Sequence, residues 1–459
     1  MATRTRACIL AAVAGAVLLE AGTAGSRAED EKVQEFQGKW VPLERPVAGQ
    51  APGRSHAHPL GDEIRAGGRT FAVRREGRSK PQVALKAGAT PSTPVREDKP
   101  LTFTWSDERG SGEIHLRFFQ APGGGWHWFS AEALAVDFPA QGVRFYDLDA
   151  DGRIEPGADG WSLAEAGLFL PLEGSLVAGP DVVALKGVDP EGRKVRAALE
   201  RMPGNDLQLL ATSRLNLMRA HSGLPPVVHD EERAKPATAH ARYLQANQWK
   251  DDFNPYGQKA GAPGASDAWD RIVGKSLIQR TPHARVVEAW FCSWLNRGPL
   301  VDPTLGRIGV NEGPPEMTVL NFADAMEKPI PKEQAWENPV LVPAEGTRDF
   351  PTAFFAKGED PPPVPTPEVR GPPLWALFWH RARDPQKFQA KLFELRENKR
   401  KGVEEVPVDV LPSEKGTGPG VARGVVPGTP LKPRTWYRVA YTFELEGKEQ
   451  ARSARFLTR

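Results

Sequence analysis

The spacing of apolar residues predicts three helices and two strands in the middle of the chain. Apolar positions that recur every three to five residues indicate the helices, and shorter apolar runs indicate the strands. The helices are expected over 207–220, 230–247 and 283–295, and the strands over 305–310 and 318–320. Asp230 is the expected N-cap of the second helix. Helices followed by strands favour an α/β/α or α+β domain.

Alternation of apolar and polar residues dominates the segments on either side. Ile114, Leu116 and Phe118 alternate with polar residues before a Gly-rich turn, which predicts a hairpin in a β-rich module over 101–200. The last segment, 374–459, alternates in the same way from Tyr437 to Leu445 and resembles immunoglobulin-like or fibronectin-type modules. We therefore expect a multidomain α+β protein whose C-terminal part is an antiparallel β-sandwich.

In three segments the apolar residues follow no sustained helical or strand period. Residues 1–28 have a basic start, a short apolar run and small residues, and so resemble a secretory signal peptide. We expect an extracytoplasmic protein, secreted, periplasmic or at the cell surface, without a transmembrane segment after cleavage. Most of residues 29–100 is expected to be a low-complexity or loosely ordered arm in which His56 and His58 are solvated, with one candidate strand over Thr70–Val73. Residues 326–373 are expected to be a Pro-rich linker.

The balance of charged residues argues against two classes of binding partner. The chain has 459 residues with 60 Lys and Arg against 58 Asp and Glu, a net charge of +2. Binding to nucleic acid or to an anionic membrane relies on a basic excess, so neither is expected as the main partner. Cys8 falls in the predicted leader, which leaves Cys292 without an internal disulfide partner.

An acidic loop in the N-terminal module is a candidate cation site. Three Asp residues at alternating positions precede a Gly, which resembles the first half of an EF-hand-type calcium loop. The twelfth position is Ala158, where a bidentate Glu would close the site, so only a looser calcium loop fits. Its candidate ligands are Asp147, Asp149, Asp151, Glu155 and Asp159. The alternative is an Asx-turn hairpin that binds no metal.

Short motifs in the central segment occur in the order and spacing of a known family. They are Asn216-Leu217-Met218-Arg219, Gly223-Leu224-Pro225-Pro226, Ala239-His240-Ala241-Arg242-Tyr243-Leu244, Val287-Glu288-Ala289-Trp290, Ser293-Trp294-Leu295-Asn296-Arg297, Leu300-Val301-Asp302-Pro303 and Ile308-Gly309-Val310. Together they resemble the bacterial branch of the CAP superfamily, also called the SCP or pathogenesis-related-protein-1 family, over residues 205–325. The resemblance implies a secreted α/β/α sandwich, with a cleft in which two His and two Glu commonly hold a divalent metal.

The departures from that family affect the chemistry of the cleft. Asn296 stands where bacterial members have His, and Gly274-Lys275-Ser276 stands where they have Gly-Glu-Asn. An Asn amide supplies only a weak neutral carbonyl for metal ligation or proton transfer. We expect a degenerate, non-catalytic cleft and assign no catalytic residue. The candidate binding residues in the cleft are His240, Glu288, Asn296 and Arg297.

Three functions follow from these observations. The first is a non-catalytic binding or interaction module with a cell-envelope or extracellular ligand that the sequence does not identify. The second is a structural or adhesive surface protein stabilised by calcium, the one cofactor that the sequence suggests. The third is a metal-dependent hydrolase or peptidase that uses the central cleft. The sequence favours the first.

Overall fold

A computed structural model gives the fold of most of the chain. It describes residues 32–43, 48–49, 56–66, 69–74, 81–85, 93–97, 99–107, 110–120, 125–164, 166, 168–189, 193–248, 254–270, 272–293, 296–323, 339–355, 369–378, 385–395, 404–411, 414–415 and 421–459. The predicted signal peptide therefore lies outside the described residues.

The N-terminal region is built from strands. Their bounds are β1 (Val33–Pro42), β2 (Ala48–Gly49), β3 (His58–Pro59), β4 (Glu63–Ala66), β5 (Arg69–Arg74), β6 (Gln82–Leu85), β7 (Thr93–Pro94), β8 (Leu101–Asp107), β9 (Gly110–Gln120), β10 (Trp126–Ser130), β11 (Glu132–Asp137), β12 (Gly142–Tyr146), β13 (Gly160–Leu163), β14 (Leu168–Pro171), β15 (Ser175–Ala178), β16 (Asp181–Asp189) and β17 (Lys194–Arg201). The largest sheet has the order β15-β16-β17-β1-β11-β12-β13-β14-β2, and two smaller sheets have the orders β3-β10-β9-β8 and β4-β5-β6-β7. The predicted hairpin is present, because β9 and β10 pair antiparallel.

The range expected to be a loosely ordered arm, 29–100, differs from that expectation. Its described residues include β1 to β7, and Ile64, Phe71 and Val83 are fully buried in one core cluster. Apart from β1, each of these strands has only two to six residues, so alternation extends over few positions before polar connections resume. The burial comes from packing of β4 to β6 against β9 and β10, whose Leu116, Phe118 and Trp128 belong to the same cluster, and average composition does not reveal it.

The central domain contains the helices of the described chain. Its elements are α1 (Asp206–His221), β18 (Val228–His229), α2 (Glu231–Ala246), α3 (Asp267–Asp270), a 3₁₀ turn (Val273–Lys275), β19 (Ser276–Gln279), α4 (His283–Cys292), α5 (Arg297–Leu300), β20 (Arg307–Val310) and β21 (Thr318–Asn321). The strands form a sheet of order β18-β20-β21-β19. The three predicted helices are confirmed, although α4 ends at Cys292 rather than at residue 295.

Side-chain caps fix where the first two helices begin. The Asn205 side chain accepts hydrogen bonds from the backbone N–H groups of Leu207 and Gln208, and the Gln208 side chain accepts one from Asn205 N–H. This reciprocal pair is a capping box. Asp230 caps α2 as predicted by accepting from Arg233 N–H. Such caps satisfy N–H groups that have no partner inside the helix.

Helices pack on both faces of the central sheet. Leu277 and Leu320 belong to a core cluster that includes residues of α1 and α4. Their strand neighbours Ile278 and Val319 belong to a different cluster, which includes residues of α2. Because consecutive residues of a strand point to opposite faces, α2 lies on one face and α1 with α4 on the other.

The C-terminal region is again made of strands. Their bounds are β22 (Val340–Val342), β23 (Thr347–Phe350), β24 (Phe354–Phe355), β25 (Val369–Arg370), β26 (Leu374–Phe378), β27 (Gln386–Leu395), β28 (Glu404–Val406), β29 (Val408–Val410), β30 (Glu414–Lys415), β31 (Val421–Pro427), β32 (Trp436–Leu445) and β33 (Lys448–Thr458). One sheet has the order β22-β26-β31-β29 with β30 beside β31, another the order β23-β33-β32-β27-β28, and β24 pairs with β25. Residues of the two larger sheets share one core cluster.

Two details of this region differ from the sequence analysis. The range expected to be a Pro-rich linker, 326–373, contributes β22 to β25 among its described residues. The pairing is also not wholly antiparallel, because β23 runs parallel to β33. Proline clusters indicate breaks in regular structure, but the short segment Val340–Val342 lies between prolines and still pairs with β26 as β22.

Hydrophobic clusters join the central domain to both of its neighbours. One cluster, here called the shared cluster, combines Val286 and Trp290 of α4 with Val340, Trp375 and Val426 of the C-terminal strands. On the other side, Ala220 of α1 belongs to the core cluster of the large N-terminal sheet. The central domain is therefore packed between the two β-rich regions.

Candidate functional site

The acidic loop follows β12 and brings three carboxylates together. Oxygens of Asp147, Asp149 and Asp151 lie within 4.8 Å of one another. Asp147 is buried, whereas Asp149 and Asp151 are exposed. The carboxylate oxygens of Asp147 accept hydrogen bonds from Asp151 N–H (3.1 Å) and Gly152 N–H (2.8 Å), and Gly152 has a φ of 89° that favours glycine. The turn therefore gathers oxygen ligands of the kind that Ca²⁺ prefers.

The other two predicted ligands have different surroundings. The carboxylate of Asp159 accepts hydrogen bonds from Leu148 N–H (2.8 Å) and Glu155 N–H (2.7 Å), so it braces the ends of the loop. The exposed side chain of Glu155 lies 3.4 Å from the Arg153 guanidinium. Among the described residues, only the three Asp at the start of the loop are grouped as a set of candidate metal ligands.

Burial makes the ionised form of two loop carboxylates costly. It raises the pKa of Asp147 to about 8, and the neighbouring Asp159 carboxylate adds to this shift. Burial also raises the pKa of Asp159 to about 6. A carboxyl group with a raised pKa is stabilised by either a proton or a cation.

Two histidines pack against this part of the N-terminal region. His56 is buried beside Phe129 and Tyr146, and His58 stacks on Trp128 at a centroid distance of 4.7 Å. His58 Nε2 lies 2.6 Å from the carbonyl oxygen of Leu148 in the acidic loop. The expectation that both histidines are solvated is wrong, because strand pairing brings their segment onto the loop.

His240 of α2 is fully buried on the face of the central sheet that α2 covers. Its ring stacks on Trp269 at a centroid distance of 3.5 Å and an interplanar angle of 4°. Gln258 Nε2 donates to His240 Nδ1 (2.7 Å), and His240 Nε2 donates to the Pro255 carbonyl (2.7 Å). Burial lowers the His240 pKa to about 4, so the ring is neutral at pH 7. Both ring nitrogens are thus engaged in structural hydrogen bonds.

Glu288 lies on the opposite side, on α4. Its carboxylate oxygens are 3.9 Å from a guanidinium nitrogen of Arg214 on α1 and 3.9 Å from one of Arg459. The Glu288 side chain is 24% exposed, so these pairs are partly screened by water. Glu288 therefore bridges the first helix of the domain and the end of the C-terminal strands.

Arg297 is buried where the central domain meets the C-terminal strands. Its side chain lies over the Trp375 ring, with Cζ 3.6 Å from the ring centroid. Its Nη1 donates to the Phe291 carbonyl at 3.5 Å. The neighbouring Asn296 donates its backbone N–H to Ser293 Oγ (3.0 Å). A guanidinium over an aromatic face gains cation–π energy that increases when water is excluded.

The central domain matches a known family model. Residues 212–311 match the model described as the cysteine-rich secretory protein family, CAP. The central domain of this chain is a CAP domain. A crystal structure of an extracellular protein containing a SCP domain, from Bacillus anthracis, is similar with 13% identity, 58% of this chain and 88% of that chain covered, and a TM-score of 0.20. No curated protein matches the chain.

The candidate residues of the CAP domain do not converge on one pocket. His240 packs with the α2 cluster, whereas Glu288 and Arg297 belong to the side of α4 and α5. The sheet separates these two sides. What the structure brings together instead is Glu288 and Arg297 with residues of the C-terminal region.

The sequence analysis missed a buried arginine that organises the CAP domain. Arg219 at the end of α1 is fully buried and donates to four backbone carbonyls. Its acceptors are Pro225 O (2.7 Å), Leu300 O (2.7 Å), Asp302 O (3.0 Å) and Leu305 O (3.2 Å). Burial lowers the Arg219 pKa to about 9. The signal was its place in the Asn216-Leu217-Met218-Arg219 motif, whose Asn216 side chain also bonds both backbone groups of Val227.

None of the helices in the described part of the chain has the length and apolarity needed to span a bilayer.

Proposed function

We propose that this protein is a non-catalytic, extracytoplasmic binding or interaction protein whose CAP domain holds two β-rich regions in a fixed arrangement. The proposal rests on one observation: two residues predicted to line the cleft instead contact the C-terminal strands. Arg297 covers Trp375, and Glu288 pairs with Arg459. Side chains committed to such contacts are not free to bind a substrate.

The shared cluster supports the same role. Trp290 of α4 and Trp375 of β26 are both fully buried within it. Burying a large aromatic side chain removes 150–250 Å² of surface from water. An apolar contact of this kind favours a rigid connection over independent domain motion.

The chemistry of the remaining candidates argues against metal-dependent hydrolysis. A metal ligand needs an available imidazole nitrogen or carboxylate oxygen. Both ring nitrogens of His240 are hydrogen-bonded within the domain, and Asn296 offers an amide. In the described chain, the one group of three candidate ligands within 4.8 Å lies in the acidic loop, outside the CAP domain.

The extracytoplasmic assignment comes from the sequence. Residues 1–28 combine a basic start with a short apolar run and small residues, the layout of a secretory leader. The near-neutral charge of the chain also disfavours nucleic acid as a partner.

The Trp375→Ala variant tests the role of the CAP domain in joining the two regions. We expect a loss of about 3–5 kcal/mol in unfolding free energy, because the cavity opens in the shared cluster. Peptide-resolved hydrogen exchange should show lost protection in both β26 and α4. The matched control is Val410→Ala, since Val410 is 62% exposed on β29, two strands away from β26 in the same sheet. Unchanged protection of α4 in Trp375→Ala would show that the regions are independent.

Metal analysis tests the non-catalytic part of the proposal. The full chain, mixed with equimolar zinc and desalted, should retain no stoichiometric zinc. One zinc per chain that is lost in Asn296→Ala would instead support the hydrolase hypothesis.

Calcium stabilisation by the acidic loop is a second candidate function. It is favoured by the three carboxylates within 4.8 Å and by the burial of Asp147, which raises the pKa of that carboxyl group and makes its ionised form costly. A bound cation would offset that cost. Asp159 would keep the two ends of the loop together, because its carboxylate accepts hydrogen bonds from Leu148 N–H and Glu155 N–H.

Thermal melting with calcium tests this second function. A ligand that binds only the folded state stabilises it by about 2.7 kcal/mol at 100 times its Kd, so millimolar calcium should raise Tm by several degrees. Asp149→Ala, which removes a candidate ligand, should abolish the rise. Asp189→Ala, which removes an exposed carboxylate of β16 outside the loop, should leave it intact. An unchanged Tm in millimolar calcium, with Asp149→Ala equally stable, would exclude the site.

A further inference from the structure

A groove crosses the outward face of the C-terminal sheet that contains β27, β32 and β33. Its volume is about 470 Å³, within the range of small-ligand sites. Its side chains include Gln389, Lys391, Phe393, Arg438, Thr442 and Ser453. All its lining residues belong to β27, β32 and β33 and none to the CAP domain, so its function does not depend on the proposed scaffold role.

The strand register explains why a depression forms there. Ala440 faces Lys391 on one side and Ser453 on the other, and Thr442 faces Gln389 and Ala451 in the same way. Small side chains on β32 and β33 thus make the floor, and longer side chains of β27 make a wall. The alternate residues of β32 fill the sandwich core, so the groove is not part of that core.

The groove is positively charged. Its lining includes Lys391, Arg438 and Arg452 and no Asp or Glu. Lys391 has only an exposed pairing with Glu405 at 3.6 Å, which contributes little. The Arg438 guanidinium lies over Phe393, 4.9 Å from the ring centroid, and its buried Nε has no hydrogen-bond partner within the described chain. The ring thus preorients the Arg438 guanidinium, whose planar fork of N–H donors matches the geometry of a carboxylate.

A second arginine, Arg455, lies next to Arg438 on the adjacent strand but is already paired. Arg455 lies beside Arg438 across the strand pair, but its backbone N–H and Nε donate to the Glu345 carboxylate, both at 2.7 Å. Its charge is therefore compensated by Glu345. Arg452 also lines the groove, but its Nη1 and Nη2 donate to the Ala451 carbonyl and to Gln450 Oε1. We therefore assign the contacts with a ligand to Arg438 and Lys391.

The groove offers side chains rather than backbone to a ligand. The backbone groups of β32 are used in ladders with β27 and β33, so an extended peptide cannot add a strand at this place. The hydroxyl groups of Thr442 and Ser453 and the amide of Gln389 suit a ligand rich in hydroxyl groups. Together with the two cations, they suit a carbohydrate that carries carboxylates.

We propose that this groove binds an acidic oligosaccharide, with carboxylates on Arg438 and Lys391 and hydroxyl groups on Thr442, Ser453 and Gln389. The charged contacts provide most of the affinity, and affinity falls as salt concentration rises. Phe393 orients Arg438 and does not itself stack on the sugar.

Isothermal titration of the full chain with trigalacturonate tests this inference. We expect saturable binding to the wild type and at least about a tenfold loss in Arg438→Gln, as for a charged hydrogen bond. The matched control is Arg434→Gln, which removes an exposed arginine outside the groove and should bind like the wild type. Ser453→Phe should also abolish binding, because it fills the floor of the groove without changing charge.

Two comparison ligands make the test specific. Maltotriose, which is neutral, should bind at least about tenfold more weakly than trigalacturonate, and hexaglutamate should also bind more weakly. Absence of trigalacturonate binding, equal binding by Arg438→Gln, or tighter binding of hexaglutamate would each overturn the proposal. All variants change the outward face, so an unaltered Tm will show that they remain folded.

Discussion

Gly309→Ala is expected to destabilise the CAP domain by about 3 kcal/mol or more. A Cβ at Gly309 would lie 2.1 Å from the carbonyl carbon of Arg233 and 2.3 Å from the nitrogen of Ala234. Both atoms belong to the backbone of α2, which cannot move aside as a flexible side chain would. Strand β20 and helix α2 would have to separate, and the core between them would open. Urea unfolding followed by far-ultraviolet circular dichroism measures the loss.

Gly274→Ala is the matched control for this variant. A Cβ at Gly274 meets no atom within 4 Å, and the residue does not have a positive φ. We expect its unfolding free energy to stay within about 1 kcal/mol of the wild type. Equal stabilities for the two variants would mean that β20 and α2 do not approach each other as closely as described.

Arg219→Met is expected to cost about 3–5 kcal/mol of unfolding free energy. Methionine keeps much of the aliphatic stem but removes the donors that serve four backbone carbonyls. Each buried carbonyl left without a partner costs about 1–3 kcal/mol, and water can recover only part of this. The turn between α5 and β20 should lose its support, which hydrogen exchange over 300–305 would report.

Arg214→Met controls for the loss of a charge on the same helix. Arg214 is about half exposed, and its pairing with Glu288 is 3.9 Å long. We expect a change below about 1 kcal/mol. If Arg219→Met were as stable as Arg214→Met, the buried guanidinium would contribute nothing to the fold of the turn.

The helices of the CAP domain could be predicted because their signals are local. An amphipathic period and a cap such as Asp230 occur within a few neighbouring residues, and the structure places both as expected. Apart from 70–73, the short strands of the N-terminal region carried no such signal. Their burial depends on residues farther away in sequence, because Phe71 shares a core cluster with Leu116 of β9 and Trp128 of β10. Local pattern alone cannot supply that information.

The candidate site was only partly predictable for the same reason. The three Asp of the acidic loop are neighbours in sequence, and the structure brings them together. His240 and Glu288 were grouped through the family resemblance, yet the helices that carry them occupy opposite faces of the sheet. The contact between Arg297 and Trp375 joins residues 78 positions apart, and no motif in either segment predicts it.

The shared cluster limits how far the CAP domain can be treated as a portable unit. A fragment cut at the domain boundaries would leave Val286, Trp290 and their neighbours facing water, where apolar patches of this kind drive aggregation. Transplanting the domain into another protein would therefore require either the strands that carry Val340, Trp375 and Val426 or a redesigned, polar surface in their place.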